Sequence, residues 1–182
     1  MKNAVKIILV LTFVSLLSSG ILSAVDMLSK DKILRNRKKA IDSAISKVIP
    51  AAVEVVHEGE IYKAFDKEKK VLGYAFLAEG QGYGGGIKMV CAVSPKLDKL
   101  LGIEIIESQE TPGLGARINK EWFKNQFKGL DILNKITYTK SKPSGKSQIQ
   151  AITGATISSR SVVHIINRRI EEIKKQFDSQ GN

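Results

Sequence analysis

The spacing of hydrophobic positions changes character twice along this chain. From Ile7 to Val25, nineteen residues carry no charge and are mostly Ile, Leu, Val, Phe and Ala, with no polar face. A helix rises about 1.5 Å per residue, so this run is just long enough for a bilayer core of about 30 Å. It is expected to be a retained single-span anchor. The rival reading, a cleaved signal peptide, meets poor cleavage sites: a cut after Ala24 puts Leu22 where a small residue is wanted, and a cut after Gly20 leaves a short apolar core. Residues 30–49 then show a helical stripe. Ile33, Arg37, Ile41, Ile45 and Ile49 recur every four positions, Leu34, Ala44 and Val48 widen the apolar face, and Pro50 supplies a stop.

Beyond Pro50 the pattern shortens. Glu60–Asp66, Val71–Ala78, Ile87–Ser94 and Leu100–Ser108 are short runs rich in β-branched and aromatic residues, punctuated by Gly59, Gly80 to Gly86, Pro95 and Asp98. They predict consecutive antiparallel strands. Asn119–Phe127 predicts a short helix with Trp122, Phe123 and Phe127 inward, and Ile136–Thr139 a further strand before a Lys-, Ser- and Gly-rich loop over 140–147. Val162, Ile166, Ile170, Ile173 and Phe177 set a final helix from about Ser158 to Phe177. The expected fold class is α+β: a single N-terminal transmembrane helix, then one domain with an antiparallel sheet and a C-terminal helix. The boundaries are an anchor over 1–28, a juxtamembrane helix over 29–50 and the domain over 51–182.

Composition agrees with a packed core: 43% of the 182 residues are hydrophobic and 26% charged, which excludes a disordered or collagen-like chain. The net charge of +11 is uneven, with nine basic against three acidic residues in 1–50. Aromatics are only 6% and do not interleave with the basic residues, so no nucleic-acid partner is expected. Cys91 is the single cysteine and lies in an apolar run, which makes it a buried structural thiol; His57 and His164 lack ligand spacing, so no metal site is expected. The basic flank from Lys30 to Lys39 on its own places the domain in the cytoplasm.

Glycine-rich segments carry the candidate chemistry. Gly80-Gln81-Gly82-Tyr83-Gly84-Gly85 fits a dinucleotide fingerprint formally, but a strand follows it where a helix is required, so a hairpin turn is the better reading. Gly145-Lys146-Ser147 resembles the end of a P-loop, yet the motif needs glycine at Lys140. In Ile149–Arg160, small residues and hydroxyls precede an amphipathic helix, whose free N–H groups and dipole suit an anion such as phosphate. On spacing alone, a plain Thr or Ser N-cap is the favoured reading of that segment. No acid–base or nucleophile–base constellation is visible, so no catalytic residue is expected.

Three motifs in this order behind an N-terminal span carry a family resemblance: Gly82-Tyr83-Gly84-Gly85, Glu110-Thr111-Pro112-Gly113-Leu114-Gly115-Ala116 and Thr153-Gly154-Ala155-Thr156. The chain resembles, over essentially its whole length, the FMN-binding subunits of ion-translocating membrane oxidoreductases. It is most similar to the G subunit of the Rnf electron-transport complex, whose relative is the C subunit of Na+-translocating NADH:quinone reductase. The resemblance implies FMN attached through a phosphoester to Thr156, with Thr153, Gly154, Ala155 and Ser158 among the cofactor-binding residues. It also implies that the loop holding Glu110, Thr111, Leu114 and Gly115 flanks the isoalloxazine ring, with Tyr83 and Gly84 among the other cofactor-binding residues.

The implied function is an electron-carrier subunit of a ferredoxin:NAD+ type translocase, not catalytic alone, and working with other membrane subunits and a flavin-attaching enzyme. The alternatives are a non-catalytic tethered assembly subunit with a vestigial flavin site, or a flavin domain of another extracytoplasmic redox chain. In the family the attaching enzyme's pattern has Asp six residues before the acceptor; here that position is Gln150, which predicts weaker recognition. The implied location is the cell (inner) membrane, single-pass, with a cytoplasmic N-terminus and an extracytoplasmic flavin domain, against the expectation from the basic flank.

Overall fold

The computed structural model describes residues 2–180, and the chain divides into two compact units between Ala40 and Ile41. The first helix, α1 (Lys2–Val48), is continuous across the expected junction between anchor and juxtamembrane helix. No proline interrupts residues 2–48, and the single Gly20 costs a helix only about 1 kcal/mol. Within the first unit the apolar side chains from Val5 to Val25 are exposed, as are Ile33 and Leu34. The helix is long and apolar enough to cross a membrane.

The second unit is built on a six-stranded antiparallel meander. Its strands are β1 (Glu54–Glu58), β2 (Ile61–Phe65), β3 (Val71–Gln81), β4 (Gly86–Val93), β5 (Lys99–Ser108) and β6 (Leu130–Asp131), in spatial order identical to chain order. Alternation decides the two faces. In β4, Ile87, Met89, Cys91 and Val93 enter one cluster, whereas Val90 and Ala92 enter the other. The first cluster is covered by α3 (Thr156–Gln180), which contributes Val162, Ile166, Ile170 and Ile173. The second is covered by Ile41, Ala44, Ile45, Val48 and Ile49, the later part of the stripe read from residue 33 onward. The register shift between Ala92 and Val93, which leaves Leu101 as an extra residue on β5, lets that strand send Leu100 and Ile103 to the same face despite their odd separation.

The connection from β5 to β6 holds a 3-10 helix (Gly115–Asn119), α2 (Glu121–Lys124) and a second 3-10 turn (Asn125–Phe127), where the spacing predicts one short helix. Phe123 and Phe127 are fully buried, but Trp122 is 49% exposed, which corrects its expected inward position. Two further strands, β7 (Thr137–Thr139) and β8 (Gln148–Gln150), pair in parallel. An ion-pair network ties three elements together: Glu104 on β5 meets Lys47 at 2.7 Å and Lys124 at 2.5 Å, and Lys124 also meets Glu121 at 2.6 Å. Burial alone would lower the Lys124 pKa, but hydrogen bonds to the two carboxylates outweigh it and hold the ammonium above its ordinary value.

Candidate functional site

Three segments distant in sequence meet at one end of the sheet. The β3–β4 hairpin closes over Gly82–Gly85, with the Gly82 N–H donating to the Gly85 carbonyl at 2.7 Å. It lies directly on Gln109–Thr111: a Cβ at Gly84 would stand 2.9 Å from the Gln109 carbonyl oxygen, and one at Gly85 2.7 Å from the Gln109 Cβ. These glycines therefore permit backbone-to-backbone packing, which explains a glycine-rich run followed by a strand.

The second segment leaves β5 and turns through Thr111, whose carbonyl accepts from the Leu114 and Ala116 N–H groups. The third closes a turn in which the Ala155 N–H donates to the Ile152 carbonyl at 2.9 Å. Gly154 is the third residue of that turn and has φ +84°, the value a type II turn requires there. Ser159, fully buried, secures the turn: its hydroxyl accepts from the Ile152 N–H and donates to the Ala155 carbonyl, both at 3.0 Å. α3 then starts at Thr156, and its first N–H groups have no carbonyl partner inside the helix.

A pocket of about 420 Å³ lies between the three segments, a volume in the range of small-molecule sites. Tyr83 closes one side, Thr111, Leu114 and Gly115 another, and Gly154 through Ser158 the third. The Thr156 hydroxyl is half-buried in that wall and makes no hydrogen bond to another described residue. Tyr83, Leu114 and Ile157 present exposed apolar surface at its rim.

Three of the expected site residues are not part of the lining: Gly84 and Thr153 are exposed, and only Glu110 is buried behind it. Gly84 packs on the Glu110 backbone, and Thr153 turns its carbonyl to Arg117 Nη1 at 3.2 Å. Glu110 is only 5% exposed and accepts from the Tyr83 N–H at 2.6 Å, the Gly84 N–H at 3.3 Å and the Ser158 hydroxyl at 2.9 Å. It binds all three segments to one carboxylate.

Sequence reasoning passes over Ile157 and Arg117. Ile157 lies inside the segment singled out as a helix start, and Arg117 follows the glycine loop with no pattern to mark it; its guanidinium also sits 5.6 Å from the centre of the Trp122 ring. Gln150, at the end of β8, is exposed; its N–H donates to Gln126 Oε1 at 2.7 Å and its carbonyl accepts from Gln126 Nε2 at 3.2 Å. Cys91 is fully buried, and that burial pushes its thiol well above the range of a reactive cysteine. His57 stacks on Tyr62 with ring centres 4.3 Å apart, and among the described residues no group of three or more His, Cys, Asp or Glu is placed to hold a metal.

Comparison with known proteins falls on this site. The FMN-binding domain family matches residues 82–171, a window that opens on the hairpin glycines and includes the whole pocket wall beyond them. The G subunit of the proton-translocating ferredoxin:NAD(+) oxidoreductase complex of Clostridium ljungdahlii is 39% identical over 110 residues, covering 60% of this chain and 58% of that relative. The G subunit of the ion-translocating oxidoreductase complex of Haemophilus influenzae is 31% identical over 182 aligned positions, covering 88% of this chain and 85% of its own length. The crystal structure of the C subunit of Na(+)-translocating NADH-quinone reductase from Parabacteroides distasonis superposes with a TM-score of 0.53 at 26% identity, over 59% of this chain and 57% of that one. The match to the Clostridium relative thus spans little more than half its length, whereas the Haemophilus match spans most of it.

Proposed function

The chain belongs to the G-subunit family of ion-translocating oxidoreductase complexes, and from that premise we propose that it is a membrane-tethered electron-carrier subunit holding FMN in the pocket above Thr156. One observation carries the assignment to this pocket: three separate motifs converge on a single cavity, and one wall of it is the first turn of a long helix. The residues present suit the cofactor. Unpaired N–H groups and the helix dipole favour a phosphate at the start of α3, and a Thr156 hydroxyl in the pocket lining supports the reading that it carries the phosphoester. Gly154 lets a ligand approach the backbone, while Tyr83, Leu114 and Ile157 offer apolar surface for an aromatic ring system.

Bound FMN supplies the electron-transfer chemistry; the chain fixes its place and surroundings. Attachment is assigned to a separate flavin-attaching enzyme, which meets an exposed Gln150 where its usual pattern has Asp. The partners are the other membrane subunits of an Rnf-type complex, reached through α1 in the membrane.

Protein made together with its flavin-attaching enzyme is expected to keep flavin fluorescence on a denaturing gel. Thr156→Val is expected to lose it completely while retaining the far-UV circular dichroism of the parent. Fluorescence that persists in the variant would overturn the linkage.

The orientation that follows from this reading is N-terminus inside and flavin domain outside. Lys2 and Lys6 precede the span, and a large C-terminal domain can cross despite the flank from Lys30 to Lys39. Protease added to right-side-out vesicles is expected to cut beyond about Lys30. Protection there, with cleavage only in inverted vesicles, gives the opposite topology.

A further inference from the structure

Two buried glutamates in the second unit are treated in opposite ways. Glu104 is neutralised by two lysines, Lys47 at 2.7 Å and Lys124 at 2.5 Å. Glu110 is at least as deeply buried, yet among the described residues no cation forms an ion pair with it; its partners are two backbone N–H groups and one hydroxyl. A buried carboxylate held by neutral dipoles alone is expensive to maintain. The sequence also reserves space for it. A Cβ at Gly82 would overlap Glu110 Oε1, and one at Gly115 would overlap Oε2, so both positions are confined to glycine by this one side chain.

Placement gives the charge a use. Tyr83, Gly115 and Ser158 are all wall residues of the pocket, and each is in direct contact with the carboxylate or makes room for it. The charge therefore sits one residue layer behind the wall. The Ser158 proton is engaged by Glu110, which leaves only lone pairs on that hydroxyl for anything in the cavity.

We propose that Glu110 is a positioning residue whose buried negative charge lowers the redox potential of the flavin held in front of it, making the flavin a stronger electron donor. The inference rests on the reading of the pocket as the FMN site. Adding an electron to the flavin places negative charge near negative charge, with little water between to screen it.

The test is a spectroelectrochemical titration of the flavin-loaded full-length protein in detergent, comparing wild type with Glu110→Gln, Ser158→Ala and Glu104→Gln. Glu110→Gln is expected to raise the midpoint potential, shifting the reduced-to-oxidised ratio at fixed poise by about tenfold, which is about 59 mV for one electron. Ser158→Ala keeps the charge and removes a donor that screens it, so its potential is expected to fall below wild type. Glu104→Gln is expected to shift the potential much less, because neither Glu104 nor its partners Lys47 and Lys124 line the pocket.

A loaded Glu110→Gln protein with unchanged potential overturns the inference alone, as does an equal rise in Glu104→Gln, which would indicate a general charge effect. If Glu110→Gln loads no flavin, Ser158→Ala decides: a potential below wild type supports the inference, and an unchanged or raised one overturns it. Wild-type protein that carries no flavin under conditions of attachment defeats the reading of the pocket, and the inference with it.

Discussion

Truncation of Phe123 to alanine is expected to destabilise the folded unit by about 3–5 kcal/mol, whereas truncation of the larger, adjacent Trp122 costs about 1 kcal/mol or less. Size alone predicts the reverse order. Phe123 is fully buried and packs edge-on against Phe127 with ring centres 5.4 Å apart, so its removal leaves a cavity in the cluster beneath α3. Trp122 is half-exposed and its main polar contact is with the Arg117 guanidinium, an arrangement worth only about 0.5–1 kcal/mol at a wet site. Urea unfolding of the full-length proteins in detergent, followed by circular dichroism, measures both. Equal losses would mean that the aromatic cluster under this segment does not anchor the fold.

The same pair shows where sequence periodicity stops being informative. On one helix over residues 119–127, spacing would identify the inner face. The segment instead forms two 3-10 pieces around a four-residue α-helix, and without a sustained 3.6-residue repeat the spacing of Trp122, Phe123 and Phe127 cannot decide which side chain is inside. Where a repeat does persist, pattern and structure agree: β3, β4, β5 and α3 lie where alternation or helical spacing places them. β1 leaves no such trace, because all five of its residues are exposed and no buried face imposes alternation; its pairing with β2 across the Gly59 turn defines it. Along α1, Ile33 and Leu34 share the spacing of Ile41 and Ile45 yet stay exposed, since a stripe on a helix says nothing about where its partner surface ends.

For the site, motif order in the sequence identifies the three segments but cannot assign tasks within them. Tyr83, Thr111, Leu114, Gly115, Gly154, Ala155, Thr156 and Ser158 line one pocket, as three motifs serving one ligand would. Glu110, Gly84 and Thr153 sit in the same motifs but do not line it: Glu110 is buried behind the wall, whereas Gly84 and Thr153 are exposed. The difference is side-chain direction at irregular backbone, which no periodicity encodes. The glycines are the instructive case. Their spacing resembles a phosphate cradle, whereas their Cβ positions are taken by a carboxylate and by the Gln109–Thr111 backbone.

That packing makes Gly115→Ala a severe change for so small a side chain. Gly115 has no unusual φ, so alanine meets no backbone strain there; the obstacle is the Glu110 carboxylate, which the new methyl group would overlap, and the Ser158 hydroxyl 2.7 Å from it. The carboxylate cannot swing aside freely, because a Cβ-sized space at Gly82 is closed on its other flank and three donors hold it in place. Overpacking of this kind costs about 1–3 kcal/mol, and any displacement that strands the Tyr83 or Gly84 N–H adds to it. Gly115→Ala is therefore expected to lower stability by about 2–4 kcal/mol and to abolish flavin retention, since the methyl forces apart two walls of the pocket. Glu110→Ala alone is expected to cost about 1–3 kcal/mol through its unpaired donors. Combined, the two changes relieve the clash, so the double variant is expected to be more stable than the sum of the singles by about 1 kcal/mol or more. Strictly additive losses in that cycle would show that the carboxylate is not what excludes a side chain at position 115, and Gly115 would then need a different explanation.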